Sequence, residues 1–260
     1  MNPDISLPPL APVRTAPRRT ATWQALLRAD FIVQWHQRRS LAMTVVVPIA
    51  FLLSWKDLIP TIGPHAVLAI CIAVGLPAVG LMGYSQLIAR DREKGVFQRL
   101  RTTPTSTASI MGSRIVVQLA VMVLMTLCTY AFANVIDGIT ISAPSLALVV
   151  AAALVGGTAF LALGQCIVAL VTSAEAVSAV GRLIYLPIAV IGGVAETGLL
   201  GRAIKQAVGW SPIGTTKELL LAAMSPESIT LHTAAALAVT LAYGIVFAAI
   251  GIRGFKWSVH

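Results

Sequence analysis

Arg90-Asp91-Arg92-Glu93-Lys94-Gly95-Val96-Phe97-Gln98-Arg99-Leu100-Arg101-Thr102-Thr103-Pro104 is a dense charged island between two apolar runs. Those runs, at 66–88 and 115–133, contain no Asp, Glu, Lys or Arg. A helix of about 20 apolar residues crosses a ~30 Å hydrocarbon core, so each run is long enough to span a membrane. The island is then expected to be a short loop on one membrane face, with a composition that suits docking on another protein.

The rest of the chain agrees with a membrane reading. Of 260 residues 57% are hydrophobic and 11% are charged, less than half the ~25% charge of a soluble domain. The mean hydropathy is +0.84. Further apolar blocks lie at 41–55, 145–171, from Leu183 onward, and at 233–252. The expected fold is all-α: a polytopic membrane protein of six transmembrane helices with both ends on one side. Pro48 and Pro77 interrupt the first and second spans and are places to expect kinks.

The net charge is +9, which in a soluble protein would suggest nucleic acid. Its placement gives another reading, with no nucleic-acid partner. Fifteen of the 19 basic residues precede the first span, sit in or beside the island, follow the fourth span at Arg182, or follow the last span. Lys56, Arg202, Lys205 and Lys217 fall on the other face. The positive-inside rule puts the crowded face and both termini in the cytoplasm, with lipid headgroups and a protein partner as the sinks for the charge.

Three regions organise the chain. Residues 1–20, with Pro3, Pro8, Pro9, Pro12 and Pro17, read as a disordered cytoplasmic tail rather than a signal peptide. Residues 21–40 hold an amphipathic helix, whose apolar face of Trp23, Leu26, Leu27, Phe31 and Trp35 suits the membrane interface. Residues 41–260 form the six-span domain. Thr172-Ser173-Ala174-Glu175 reads as a capping box on a short turn after the fourth span. Gly192-Gly193 and Glu196 are expected to interrupt the fifth span. The segment 199–224 carries Arg202, Lys205, Lys217, Glu218 and a break at Ser211-Pro212. A central charge costs about 2.5–3.5 kcal/mol on insertion, so this segment reads as two short re-entrant helices dipping into the outer leaflet.

Several chemistries are excluded by pattern. No G-x-x-x-x-G-K-[ST] is present, so the chain has no phosphate-cradling loop of its own. Cys71, Cys128 and Cys166 are isolated in apolar runs, and His36, His65, His232 and His260 are scattered, so no metal set or catalytic constellation is expected. The spans as drawn carry no charge, which argues against an ion-coupled relay. Glu196, near the external mouth, is the nearest candidate and reads first as a solvated residue at a helix break.

Asp91-Arg92-Glu93, Gly95, Leu100 and Thr103-Pro104, placed between the second and third spans, resemble the permeases of type-2 ATP-binding-cassette (ABC) exporters, among them bacterial drug-resistance permeases. Val171–Ala176 followed by Leu186-Pro187 and Gly192-Gly193 is a second point of likeness, and Trp210-Ser211-Pro212 a third. The resemblance implies a permease that binds no cofactor itself. Two copies of an ATPase subunit, carrying ATP and Mg, would dock on the cytoplasmic face, and a second permease copy would complete the pathway.

On that reading Arg90, Asp91, Arg92, Glu93, Lys94, Gly95, Phe97, Leu100 and Arg101 couple to the ATPase. Trp23, Leu27, Phe31 and Trp35 seat the interfacial helix. Tyr84, Gln86, Tyr130 and Gln165 are the polar span residues that could line a pathway for a drug-like or lipid-like amphiphile. Gly192, Gly193, Glu196 and Pro212 shape the external mouth. The excess of Arg over Lys, with much Ala and Val, points to a bacterial plasma membrane. Two rivals remain at this stage: a self-sufficient channel or secondary carrier, and a non-transport membrane scaffold.

Overall fold

A computed structural model describes residues 19–36, 38–101 and 106–254. The proline-rich tail to residue 18, Thr103-Pro104 and the Lys256-Trp257 anchor lie outside the described residues. Within them there are helices and connecting turns and no strand. In order these are α1 (Arg19–His36), α2 (Arg38–Ser54), a 3-10 turn (Lys56–Leu58), α3 (Ile59–Ile62), α4 (Pro64–Pro77), a π-helical stretch (Ala78–Tyr84), α5 (Ser85–Glu93) and α6 (Val96–Arg101). Then come α7 (Thr107–Asp137), α8 (Ala143–Leu170), α9 (Ala174–Val194), α10 (Arg202–Gly209), α11 (Pro212–Met224) and α12 (Leu231–Gly254).

Five helical stretches are long and apolar enough to cross a membrane: Pro64–Glu93, Ser109–Asp137, Ala143–Leu170, Ala174–Thr197 and Leu231–Gly254. A sixth is made if Leu41–Ser54 and Lys56–Ile62 count as one span bent by 48°. The chain is an all-α polytopic membrane protein. Its centre is Pro64–Glu93, whose most apolar window is 83% buried, against 17% for Leu231–Gly254. α4 is apolar all round, as a helix enclosed by others must be.

A kink is expected at Pro77; the stretch Pro64–Glu93 stays continuous, and what changes there is the helix type. Pro77 offers no N–H and its ring crowds the carbonyl four residues back, and the helix passes directly into the π stretch Ala78–Tyr84. That looser turn is held by close backbone approaches. A Cβ on Gly80 would lie 2.6 Å from the Phe160 carbonyl oxygen, one on Gly164 would collide with the Gly80 carbonyl, and one on Gly181 would lie 2.8 Å from that of Leu81. α8 and α9 thus clasp the π stretch from two directions through glycine. Gly156 and Gly157 make room for Thr216 of α11 and Met122 of α7.

Four expectations are corrected. The island is not a loop: α5 continues through Glu93, Lys94-Gly95 turns, and α6 follows. Charges do lie within continuous span helices, because α7 begins at Thr107 and so includes Arg114, and Pro64–Glu93 ends in Arg90–Glu93. The fifth span starts at Ala174, not near Leu183, and its α-helix runs through Gly192-Gly193 to Val194; the interruption comes only at the 3-10 turn Ala195–Thr197, which holds Glu196. The cap of α9 is Ser173, whose Oγ accepts from the Ala176 N–H at 3.2 Å, one residue later than a capping box closed by Glu175. Finally, of the two re-entrant helices only α10 has no buried residue. α11 buries Ile213, Thr215, Leu219, Leu220, Ala223 and others against α8, α4 and α12. α11 is thus covered by other helices of the chain.

Candidate functional site

The island folds into a clamp on the elbow between α8 and α9. α5 ends at Glu93 with Lys94 as its C-cap, and Gly95 adopts φ +66°, with its N–H donating to the Arg92 carbonyl at 3.1 Å. That left-handed turn favours glycine. It brings three consecutive charged residues to other helices of the chain, with Asp91 half-buried, Arg92 buried and Glu93 at the exposed rim.

Arg92 is 4% exposed. Its guanidinium donates to the carbonyls of Val168 at 2.7 Å, Val171 at 2.6 Å and Thr172 at 2.7 Å. These belong to the end of α8 and the turn that follows, where carbonyls lack helical partners and the helix dipole is negative. Glu93 does the reverse at the start of α9: its Oε1 accepts from the Ala174 N–H at 2.6 Å. Adjacent residues of opposite charge therefore grip two successive helix ends of opposite polarity. Charge-assisted hydrogen bonds of this kind are each worth about 1.5–3 kcal/mol.

Asp91 faces the other way. It forms an ion pair with Arg114 of α7, and the Arg114 guanidinium lies 5.2 Å from the centre of the Phe97 ring. Phe97 is 1% exposed, so the apolar side of α6 packs into the membrane domain. A lone Arg seven residues into an apolar helix signals a buried partner, and this was the available clue to the Asp91–Arg114 pair. Outward, Arg90, Lys94, Gln98 and Arg99 form an exposed and strongly basic face. The backbone of Leu100 and Arg101 completes α6; their side chains lie outside the described set.

α1 joins the same cluster. Asp30 accepts from the Ser113 hydroxyl, and Gln118 Nε2 donates to Gln34 Oε1 at 3.2 Å. Trp23 lies over Gly112, where a Cβ would come within 3.0 Å of the indole. A cleft of about 170 Å³, lined by Asp30, Gln34, Asp91, Arg114 and Gln118 among others, marks where α1, α5, α6 and α7 meet. Of the predicted interfacial residues, Trp23 and Leu27 are half-buried while Phe31 and Trp35 are exposed.

The predicted pathway residues separate. Tyr84 OH donates to Gln165 Oε1 at 2.8 Å, and both line an apolar cavity of about 820 Å³ among α7, α8 and α12. Gln86 instead donates to Ser178 of α9 at 3.2 Å. Tyr130 is half-buried on α7 and is not part of that cavity. At the opposite end, Gly193 makes room for Trp55, with which any Cβ would collide, and Gly192 abuts Ile213. Pro212 opens α11, behind Ser211 as its cap. Glu196 is not simply solvated: it pairs with Lys217 at 2.5 Å and Lys205 at 3.5 Å, and its side chain is 16% exposed. Among the described residues no His, Cys, Asp and Glu side chains group as a metal site.

Residues 21–197 match the family model described as ABC-2 type transporter. The match takes in α1, the island and the elbow it clamps, well over half of the chain. No curated protein matches the chain.

Proposed function

The chain belongs to the ABC-2 type transporter family, a transmembrane component of an ABC transporter, and we propose that it is an exporter permease driven by a separate ATPase. Two ATPase copies, holding ATP and Mg, dock on the α5–α6 elbow and α1 from the cytoplasm. A second permease copy completes the pathway. Both termini are cytoplasmic, in a bacterial plasma membrane, and the cargo is a drug-like or lipid-like amphiphile.

The observation that carries this reading is the clamp. A docked partner that displaces α6 must pull Arg92 and Glu93, and these hold the ends of α8 and α9 directly. A push at the surface is thus passed to two spans without an intervening flexible loop. The exposed Arg90 and Lys94 offer a basic contact face, so the docking groove of the ATPase is expected to be acidic. The basic majority on the island side supports the orientation.

The test is a mild-detergent pull-down of the tagged full-length chain with mass spectrometry of what co-purifies. Wild type is compared with Arg90→Glu/Lys94→Glu, which reverses the exposed face, and with Asp91→Ala/Glu93→Ala, which opens the clamp. A Walker-motif ATPase held by wild type and lost on charge reversal supports the reading. Retention on charge reversal removes the basic face as the contact. Absence of any ATPase with wild type, while other membrane complexes survive, shifts the reading to a self-sufficient carrier or a scaffold.

A further inference from the structure

The cavity of about 820 Å³ among α7, α8 and α12 lies in the half of the bundle that carries the island: it is lined by Met111, Gly112 and Ile115 near the start of α7 and by Gln165 near the end of α8. It is open along the flank of α12, where Ile245 is 70% exposed. Its size falls in the range of small-molecule sites, about 300–1,000 Å³.

Its chemistry is unusually selective. Among the described residues no charged side chain lines it, and moving an unpaired ion into such a wall costs several kcal/mol. Four lining residues carry a side-chain polar group: Tyr84, Thr158, Gln165 and Thr240. The Tyr84 hydroxyl donates to Gln165 Oε1, that of Thr158 to the Val155 carbonyl at 2.7 Å, and that of Thr240 to Thr215 at 2.9 Å. Every hydroxyl proton is therefore used within the protein. The Gln165 Nε2 amide has no acceptor among the described residues, and it is the side-chain donor left to a ligand.

We infer that this cavity is a binding site for an uncharged acyl-chain amphiphile drawn from the surrounding bilayer, with one ester or amide carbonyl accepting from Gln165 Nε2. The acyl chain lies along the apolar wall between α7 and α12, and the Tyr84 hydroxyl holds Gln165 Oε1, which leaves Nε2 free to donate. The inference rests on the transport reading for its purpose, but binding itself needs only this chain.

The full-length chain in lipid nanodiscs is photolabelled with a diazirine-bearing diacylglycerol or with a phosphatidylglycerol carrying the same diazirine chain. Label is mapped by peptide mass spectrometry. The expected result is labelling of α8 and α12 peptides at least about fivefold stronger with the neutral probe, and a drop of about fivefold in Gln165→Leu, the size of one lost hydrogen bond of ~1 kcal/mol. Gly244→Phe tests filling of the groove independently of Tyr84 packing, since a Cβ there meets nothing closer than 3.8 Å; it too should lose the label. Equal labelling by both probes, or labelling unchanged in Gly244→Phe, overturns the inference and leaves ordinary annular lipid. ATPase co-purification is read separately, so the site and the transport reading can fail independently.

Discussion

The two ends of the bundle hold charge in different ways. At the island end, Arg92 and Glu93 are bonded to backbone carbonyls and an N–H at helix termini, and Asp91 is paired with Arg114, 7% exposed. At the far end, charges meet other side chains across loops. Glu196 takes Lys217 and Lys205, and Lys56, 56% exposed, stands 3.7 Å from Asp137. A side chain bonded to helix ends fixes the direction of whole helices. A side chain bonded to another side chain tethers a loop and leaves the helices to packing. On the proposed function, the first arrangement suits an end that passes on a push, and the second an end that holds a shape.

The largest effect that can break this contrast is at Arg92. Arg92→Ala leaves three carbonyls at the α8–α9 elbow without their donor, each orphan costing about 1–3 kcal/mol. The expected loss is about 3–5 kcal/mol, allowing for water entry from the exposed side. Heating the detergent-solubilised protein with a thiol-reactive dye reads it, because Cys71 and Cys166 are buried and report unfolding. A melting midpoint lower by roughly 6 °C or more is expected. A shift no larger than that of Lys217→Ala would erase the distinction between the ends.

The far end should instead be most sensitive to packing. Gly193→Leu drives a side chain into the space of the Trp55 ring, an overpacking worth about 1–3 kcal/mol. Trp55→Ala in the same chain should restore part of the stability, and a double variant no better than the single one would show that Trp55 does not pack on α9 there. Between these lies the Asp91–Arg114 pair. A double-mutant cycle with Asp91→Asn and Arg114→Gln is expected to return a coupling energy of about 1–2 kcal/mol, within the range for contacting residues. A coupling near zero would mean that Arg114 is held by the Phe97 ring alone.

Much of this was legible in the sequence, and what was not has a common cause. Uncharged runs give the second, third, fourth and sixth spans because hydrocarbon imposes length and composition together. Pro77 marks a place where the regular helix must change, since a missing N–H is a local property, but the π form it takes was not legible. The island's three charges are legible as a motif, yet their partners are not. Arg92 bonds carbonyls 76 to 80 positions away, and a carbonyl leaves no mark in the sequence. The same blindness moved the start of the fifth span: Arg182 looked like a reason to begin after it, but the first turns of α9 carry Glu175 and Arg182 at the exposed elbow end. The burial of α11 was hidden because Lys217 reads as a cost until Glu196, 21 residues away, is placed beside it at 2.5 Å.

The smallest predicted effect is the sharpest on the far end. Lys205 and Lys217 both approach Glu196, but Lys205 is 49% exposed at 3.5 Å and Lys217 is 17% exposed at 2.5 Å. An exposed pair is screened by water and salt and holds two long side chains at an entropic cost, so its net worth is about 0–1 kcal/mol. Lys205→Ala should therefore shift the thermal midpoint by at most about 1–2 °C, and less in high salt. Lys217→Ala leaves Glu196 with only that weak partner in a largely buried place, and should cost about 1–3 kcal/mol. If the two lysines prove equal, Glu196 is held by the field of the whole basic cluster, and the far end is a charge reservoir rather than a set of tethers.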